Sequence, residues 1–180
     1  MNKKTIYALG FFDGVHLGHR FLIGQVLDIA QKNGAESLIV TMYPHPRAIV
    51  QPGFQPQLLT TLDEKLNLLK KTGISKVEVL QFDKEMSRLS ARDFMEQILH
   101  EKLGIDCLVM GYDHRFGHDK VSHEEMMAMA QELGIRIIKV SEFIQDENVI
   151  SSTKIRNLLQ EGNVEKANDF LGYRYGLKGV

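Results

Sequence analysis

The chain has 180 residues, with 22 Lys plus Arg against 23 Asp plus Glu and a formal net charge of −1. This length buries a sizeable core without staples, and 43% hydrophobic with 25% charged residues sets aside disordered, collagen-like and coiled-coil classes. The charge balance excludes a globally basic nucleic-acid binder, and the single cysteine, Cys107, excludes a disulfide framework or Cys-rich zinc site.

No apolar run reaches the roughly 20 residues of a membrane helix, and Met1-Asn2-Lys3-Lys4 leads into a short strand-like run and not a signal-peptide core. A soluble cytoplasmic protein is expected, with neither nucleic acid nor membrane as partner.

In chain order, Thr5–Leu9 reads as a short strand ended by Gly10, followed by a glycine-bearing turn and an amphipathic helix from about Leu17 to Gln31. Ser37–Met42 carries Leu38, Ile39 and Val40 in succession, as a strand buried on both faces does. Pro44, Pro46, Pro52 and Pro56 are the only four prolines and fall within thirteen residues, so that stretch is expected to be a long shaped loop with no helix.

Thr61–Lys71 reads as a helix, with Thr61 as N-cap, Glu64 completing a capping box and Gly73 as the stop. Val77–Phe82 is strand-like, and Ser90–Leu103 is a helix capped by Ser90. Cys107–Met110 is a buried strand ended by Gly111, Glu124–Leu133 a helix and Ile135–Val140 a strand. Ser152–Leu159 and Val164–Leu171 are two closing helices. Met126, Met127 and Met129 read as core, His100 as structural and Cys107 as inert.

This alternation predicts an α/β fold: one Rossmann-like domain over residues 1–180, an open parallel sheet with helices on both faces. Ligands in such folds sit beyond the carboxyl ends of the strands, here the loops after Leu9, Met42, Met110 and Val140.

The densest chemistry lies in Gly10-Phe11-Phe12-Asp13-Gly14-Val15-His16-Leu17-Gly18-His19. Gly10 and Gly14 permit a tight turn close to a ligand, and the following helix N-terminus is an anion site. His16 and His19, three apart, share one face of the first turn, with Gly18 keeping that face open. Two imidazoles there suit a phosphate whose charge grows during reaction. The plain alternative is a pair of solvent-exposed first-turn residues. A zinc site with His45, His114, His118 or His123 matches the known spacings poorly, and no Gly-Lys-Ser/Thr P-loop occurs.

This segment resembles the His-x-Gly-His signature of the nucleotidyltransferase superfamily, and its longer form, Phe12 to His19, is similar to that of bacterial FAD synthetases. Three further stretches match the same family in order: Thr41-Met42-Tyr43-Pro44-His45-Pro46, then Gly111-Tyr112-Asp113-His114-Arg115-Phe116-Gly117, then Ile150-Ser151-Ser152-Thr153-Lys154-Ile155-Arg156. The resemblance implies transfer of AMP from ATP to FMN, giving FAD and pyrophosphate, with magnesium carried mainly by the ATP phosphates and no metal ligand assigned. It implies His16, His19 and Arg156 as catalytic residues. It implies Gly10, Phe11, Phe12, Asp13, Gly14, Gly111, Asp113, Ser151, Ser152 and Thr153 around ATP, together with His16, His19 and Arg156. Thr41, Tyr43, Pro44, His45, Pro46 and Phe54 are implied around FMN, with Leu58 or Leu59 as further lining. Lys154 stands at a position the family varies and reads as a solvated charge.

The family's usual C-terminal riboflavin kinase module is expected to be missing, because the chain stops at Gly176-Leu177-Lys178-Gly179-Val180, about where that module's first strand begins. Residues 118–123 depart from the family's more Gly-rich, basic loop. Two rivals stay open: a superfamily transferase with another phosphorylated acceptor, and a non-catalytic flavin or nucleotide sensor.

Overall fold

In the computed structural model, residues 4–111, 116–119, 121–141, 143–145 and 148–177 are described. Five strands form one parallel sheet: β1 (Thr5–Leu9), β2 (Glu36–Tyr43), β3 (Lys76–Gln81), β4 (Cys107–Gly111) and β5 (Arg136–Val140), in the order β3-β2-β1-β4-β5. The β2 and β4 runs are apolar because both of their faces are covered. Leu38, Val40, Leu108 and Met110 turn to one side, and Ile39, Cys107 and Val109 to the other.

The second side is covered by α1 (Leu17–Lys32), through Ile23, Val26 and Ala30, and by α3 (Leu62–Lys70), through Leu69. The first is covered by α5 (His123–Glu132) and by α4 (Ala91–Asp93), which runs on into a π-helical segment over Phe94–Lys102. Two last helices, α6 (Ser152–Gln160) and α7 (Val164–Leu171), form a satellite core with Leu59 and Ile150.

Local signals formed as read. Thr61 and Glu64 make their capping box, and Ser90 accepts the Asp93 N–H at 3.0 Å. Ser122 and Glu125 make a second box that the sequence reading passed over.

Several expectations are corrected. The proline segment does contain a helix, α2 (Pro46–Val50): Pro46 occupies its first position, where the missing N–H costs nothing, and His45 caps it. The Ser90–Leu103 helix is π-type over most of its length, which brings Phe94 and Leu99, five residues apart, together into the core. Of the methionine run, Met126 is core, Met129 half-buried and Met127 exposed. A small hairpin, β6 (Ile144–Gln145) with β7 (Asn148–Val149), was not anticipated.

The order reverses at β1, which pairs with β2 on one side and β4 on the other. A crevice outside the carboxyl ends of β1 and β4 is the position such sheets reserve for ligands.

Candidate active site

The turn leaving β1 is strained and packed. Gly10 N–H donates to the Val40 carbonyl at 3.1 Å. A 3-10 turn over Asp13–Val15 then brings the chain to His16, with positive φ at Phe12 (55°), Gly14 (76°) and Val15 (40°). Positive φ in a phenylalanine and in a β-branched valine is costly. It holds because both side chains are buried and because the Val15 carbonyl accepts from Arg20 Nε at 3.1 Å. At Gly14 a Cβ would stand 2.8 Å from Leu59 Cδ1, so only glycine fits.

Asp13 is the hub under this turn. Its buried carboxylate accepts the Leu59 N–H at 2.9 Å and the Thr60 N–H at 3.3 Å, and Arg156 Nη1 at 2.8 Å. Burial pushes its carboxyl pKa up, and the Leu59 N–H and Arg156 pull it back only in part. The Asp13 carbonyl accepts the Ser152 hydroxyl at 3.0 Å, and the Gly14 carbonyl accepts the Tyr173 hydroxyl at 2.7 Å.

His16 is the N-cap of α1: its Nδ1 accepts the His19 N–H at 3.3 Å. An accepting Nδ1 leaves the proton of the neutral ring on Nε2. The two imidazoles stack, with centroids 3.6 Å apart and planes 20° apart. Burial lowers the His16 pKa to about 4 and takes His19 well below its ordinary range, with the neighbouring His16 and Lys65 adding to it. Both rings are therefore neutral at pH 7 and offer N–H donors without a charge of their own. His19 Nδ1 is buried without a partner among the described residues.

At the end of β2, His45 packs edge-on to Phe11 at 4.3 Å between centroids, and its Nδ1 accepts the Arg47 N–H at 3.1 Å. Burial lowers its pKa, with nearby Arg156 and Arg47 contributing. Phe54 lies beyond His45 at 6.3 Å and under the Arg47 guanidinium at 4.4 Å.

At the N-terminus of α6, Ser151 caps by accepting the Lys154 N–H at 3.3 Å, and Thr153 Oγ1 accepts from Arg156 Nη2 at 3.1 Å. Lys154 Nζ lies 5.8 Å from the centre of the Phe170 ring.

These parts border one cleft of about 430 Å³. Gly10, Phe11, Phe12, Asp13, His16, His19, His45, Gly111, Ser151, Ser152, Thr153 and Arg156 all line it. Two helix N-termini, those of α1 and α6, meet there, a favourable setting for anionic groups.

Other expected residues fall elsewhere. Gly14 is buried behind the turn, and Thr41 is fully buried with its hydroxyl donating to the Phe11 carbonyl at 3.0 Å. Tyr43, Pro44, Pro46 and Phe54 stand outside the cleft wall, Tyr43 being 48% exposed. Leu59 is core beneath Gly14 and lines no part of the cleft. Asp113 lies outside the described residues.

The sequence reading missed the apolar flank of Phe21, Leu22, Phe143 and Ile150. Phe21 and Leu22 carried a signal, since they occupy the second turn of the helix opened by His16. It also missed Lys65, which is buried against Phe11; its only signal was a lysine four residues before Leu69, on the inward face of α3.

Comparison with known proteins agrees with this geometry. Residues 1–154 match the model of the family described as FAD synthetase. The chain is 34% identical over 180 residues to a protein of Bacillus subtilis (strain 168) named bifunctional riboflavin kinase/FMN adenylyltransferase, covering 98% of this chain and 56% of that protein. It is 30% identical over 178 residues to the protein of the same name from Escherichia coli (strain K12), covering 98% and 57%.

A crystal structure from Streptococcus pneumoniae, described as a macrolide-efflux protein, superposes with a TM-score of 0.84 at 26% identity, covering 96% of this chain and 58% of that one. No helix among the described residues here is long and apolar enough to cross a membrane. The chain thus spans little more than half the length of these relatives. With the family model matching most of its length and the signature turn built into the cleft, the chain belongs to the FAD synthetase family.

Proposed function

We propose that this chain transfers AMP from ATP to FMN, releasing FAD and pyrophosphate. The observation that carries this reading is the stacked, neutral His16–His19 pair at the mouth of α1, facing Arg156 and the N-terminus of α6 across one cleft. A phosphate oxygen of FMN attacks the α-phosphorus of ATP; the new P–O bond forms as the bond to the β-phosphate bridging oxygen breaks, and pyrophosphate leaves with that electron pair. No side chain in the cleft is needed as a nucleophile. The protein positions both phosphates and stabilises the charge that grows between them.

In this reading His16 Nε2–H and the His19 ring donate to the non-bridging oxygens of the α-phosphate, and the backbone from Gly10 to Asp13, which lines the cleft, faces the nucleotide. Arg156, with its planar fork of donors, and the hydroxyls of Ser151 and Thr153 receive the β- and γ-phosphates. Ser152 steadies the turn through the Asp13 carbonyl. His45 forms the wall toward FMN, with Phe11 packed between it and the nucleotide and with Phe54 and the proline segment beyond it.

Among the described residues the one carboxylate lining the cleft, Asp13, is committed to Leu59, Thr60 and Arg156. No group of three His, Cys, Asp or Glu side chains gathers to hold a metal among the described residues. Arg156 and the cleft hydroxyls suit phosphate oxygens, and magnesium, held mainly by the triphosphate itself, would supply charge screening there. Partners are then small molecules, ATP and the flavin, and a riboflavin kinase module is a further partner where the chain is part of a longer protein like its relatives.

A chromatographic assay with FMN, ATP and magnesium tests the reading. FAD and pyrophosphate should form in equal amounts, with no product when riboflavin replaces FMN. FMN binding without turnover would instead favour the sensor, and no flavin binding would favour a transferase with another acceptor.

A further inference from the structure

Lys65 is the one lysine among the described residues that is buried, with 3% of its surface exposed. Its ammonium has no salt-bridge partner among them. Instead Nζ donates to the Phe11 carbonyl at 3.0 Å and to the Met42 carbonyl at 3.3 Å, and sits 4.0 Å from the centre of the Phe11 ring. Those carbonyls lie just past β1 and near the end of β2, the two loops that bring the histidine turn and His45 into the cleft. Thr41 donates to the same Phe11 carbonyl, which therefore accepts from two side chains.

A buried charge without an ion-pair partner is expensive, and hydrogen bonds with a ring face offset only part of that cost. An apolar residue in its place would close the core more cheaply. The ammonium is too deep to touch a substrate. It lies behind Phe11, which lines the cleft, and its charge is felt by His19 and His45 on the cleft side. Burial lowers its pKa to about 8, and Asp13 holds it up in part, so the charged form prevails at pH 7.

We propose that Lys65 is a positioning residue of this site, clamping the ends of β1 and β2 through two carbonyls and holding a fixed positive charge behind the wall against which anionic nucleotide phosphates bind. The inference rests on the proposed function for the identity of the ligand. Its electrostatic content is separable, because a clamp alone affects every ligand alike, whereas a charge acts in proportion to the ligand's own charge.

The test compares Lys65→Met, which keeps length and loses charge, with the unaltered chain, titrating adenosine, ADP and ATP by calorimetry and recording Tm. Affinity for ATP should fall about tenfold, which is about 1.4 kcal/mol, with ADP falling less and adenosine by less than about twofold. Equal losses for all three ligands, or none, would overturn the proposal.

If Lys65→Met does not fold, Lys65→Arg decides. It keeps the charge and should preserve the ratio of ATP to adenosine affinity; a collapsed ratio, or failure of both variants to fold, reduces Lys65 to a structural clamp and overturns the electrostatic role. An unaltered chain that binds ATP but makes no FAD overturns the function while leaving this inference standing. One that binds no nucleotide overturns both.

Discussion

The carboxylate of Asp13 and the guanidinium of Arg156 meet at 2.8 Å across 143 residues of sequence, joining the turn after the first strand to the helix that closes the cleft. Both were expected to face the nucleotide. The structure gives them different positions: Asp13 is 5% exposed by its side chain and fully engaged, whereas Arg156, at 28%, lies at the cleft surface. Under the proposed function, Asp13 would act through Arg156, by aiming it.

Asp13→Asn should lose this anchor and leave a guanidinium without its charge partner. Arg156 is part-exposed and burial already disfavours the Asp13 charge, so loss of this charge-assisted hydrogen bond should cost about 1.5 kcal/mol, to be read from urea denaturation. The KM for ATP should rise more than kcat falls. A variant as stable as the parent with unchanged KM would remove Asp13 from the site's support.

His16→Ala and His19→Ala should each lower kcat for FAD formation by about 10² or more, the usual cost of removing one donor aimed at a growing phosphate charge. The His19 variant should fold normally, while the His16 variant also loses the α1 cap, at about 1 kcal/mol. Near-parental turnover in both would overturn their assignment.

The His16 pKa falls from 6.5 to about 4 on folding, so the unfolded chain binds the extra proton between those values. Stability from this group is present above about pH 6.5 and is lost as pH falls toward 4, amounting to about 3 kcal/mol when complete. Tm measured between pH 4.5 and 7 should fall less steeply on acidification in His16→Asn, which keeps a capping side chain. Asp13, whose carboxyl is raised by burial, acts with the opposite sign but cancels between the two proteins. Parallel curves would contradict the buried neutral imidazole.

Gly18→Ala separates geometry from chemistry. A Cβ there would sit 3.2 Å from His16 Cε1 and Nδ1 and 3.4 Å from the Ile150 carbonyl. As a helical alanine it should leave the Tm within a few degrees, while displacing the His16 ring and lowering kcat about tenfold. Gly14→Ala differs: with φ at 76° and Leu59 at 2.8 Å, it should chiefly lower the Tm.

The sheet, the helices and their caps were legible because their signals are local. Three successive aliphatics in β2, the Thr61–Glu64 box and the Ser90 cap each lie within a few residues. Two of the exceptions turn on a choice between local options that the neighbouring residues leave open. Pro46 is compatible with a loop or with a helix start, and His45 capping decides for the helix. Phe12 and Val15 have no intrinsic leaning to positive φ and adopt it only because the turn is buried around them.

The sequence by itself determined the parallel α/β order, the phosphate-suited turn and the family, since ordered motifs and short-range periodicity are written in neighbouring residues. Only the tertiary structure decided which residues of those motifs reach the cleft. It withdrew Thr41 and Leu59 into the core, set Asp13 beneath Arg156 and drew Lys65 in from a helix that looked ordinary. The physical reason is that burial and charge are properties of a place in the fold. Contacts spanning 54 residues, as from Lys65 to Phe11, or 143, as from Arg156 to Asp13, exist only once the sheet has brought its strand ends together.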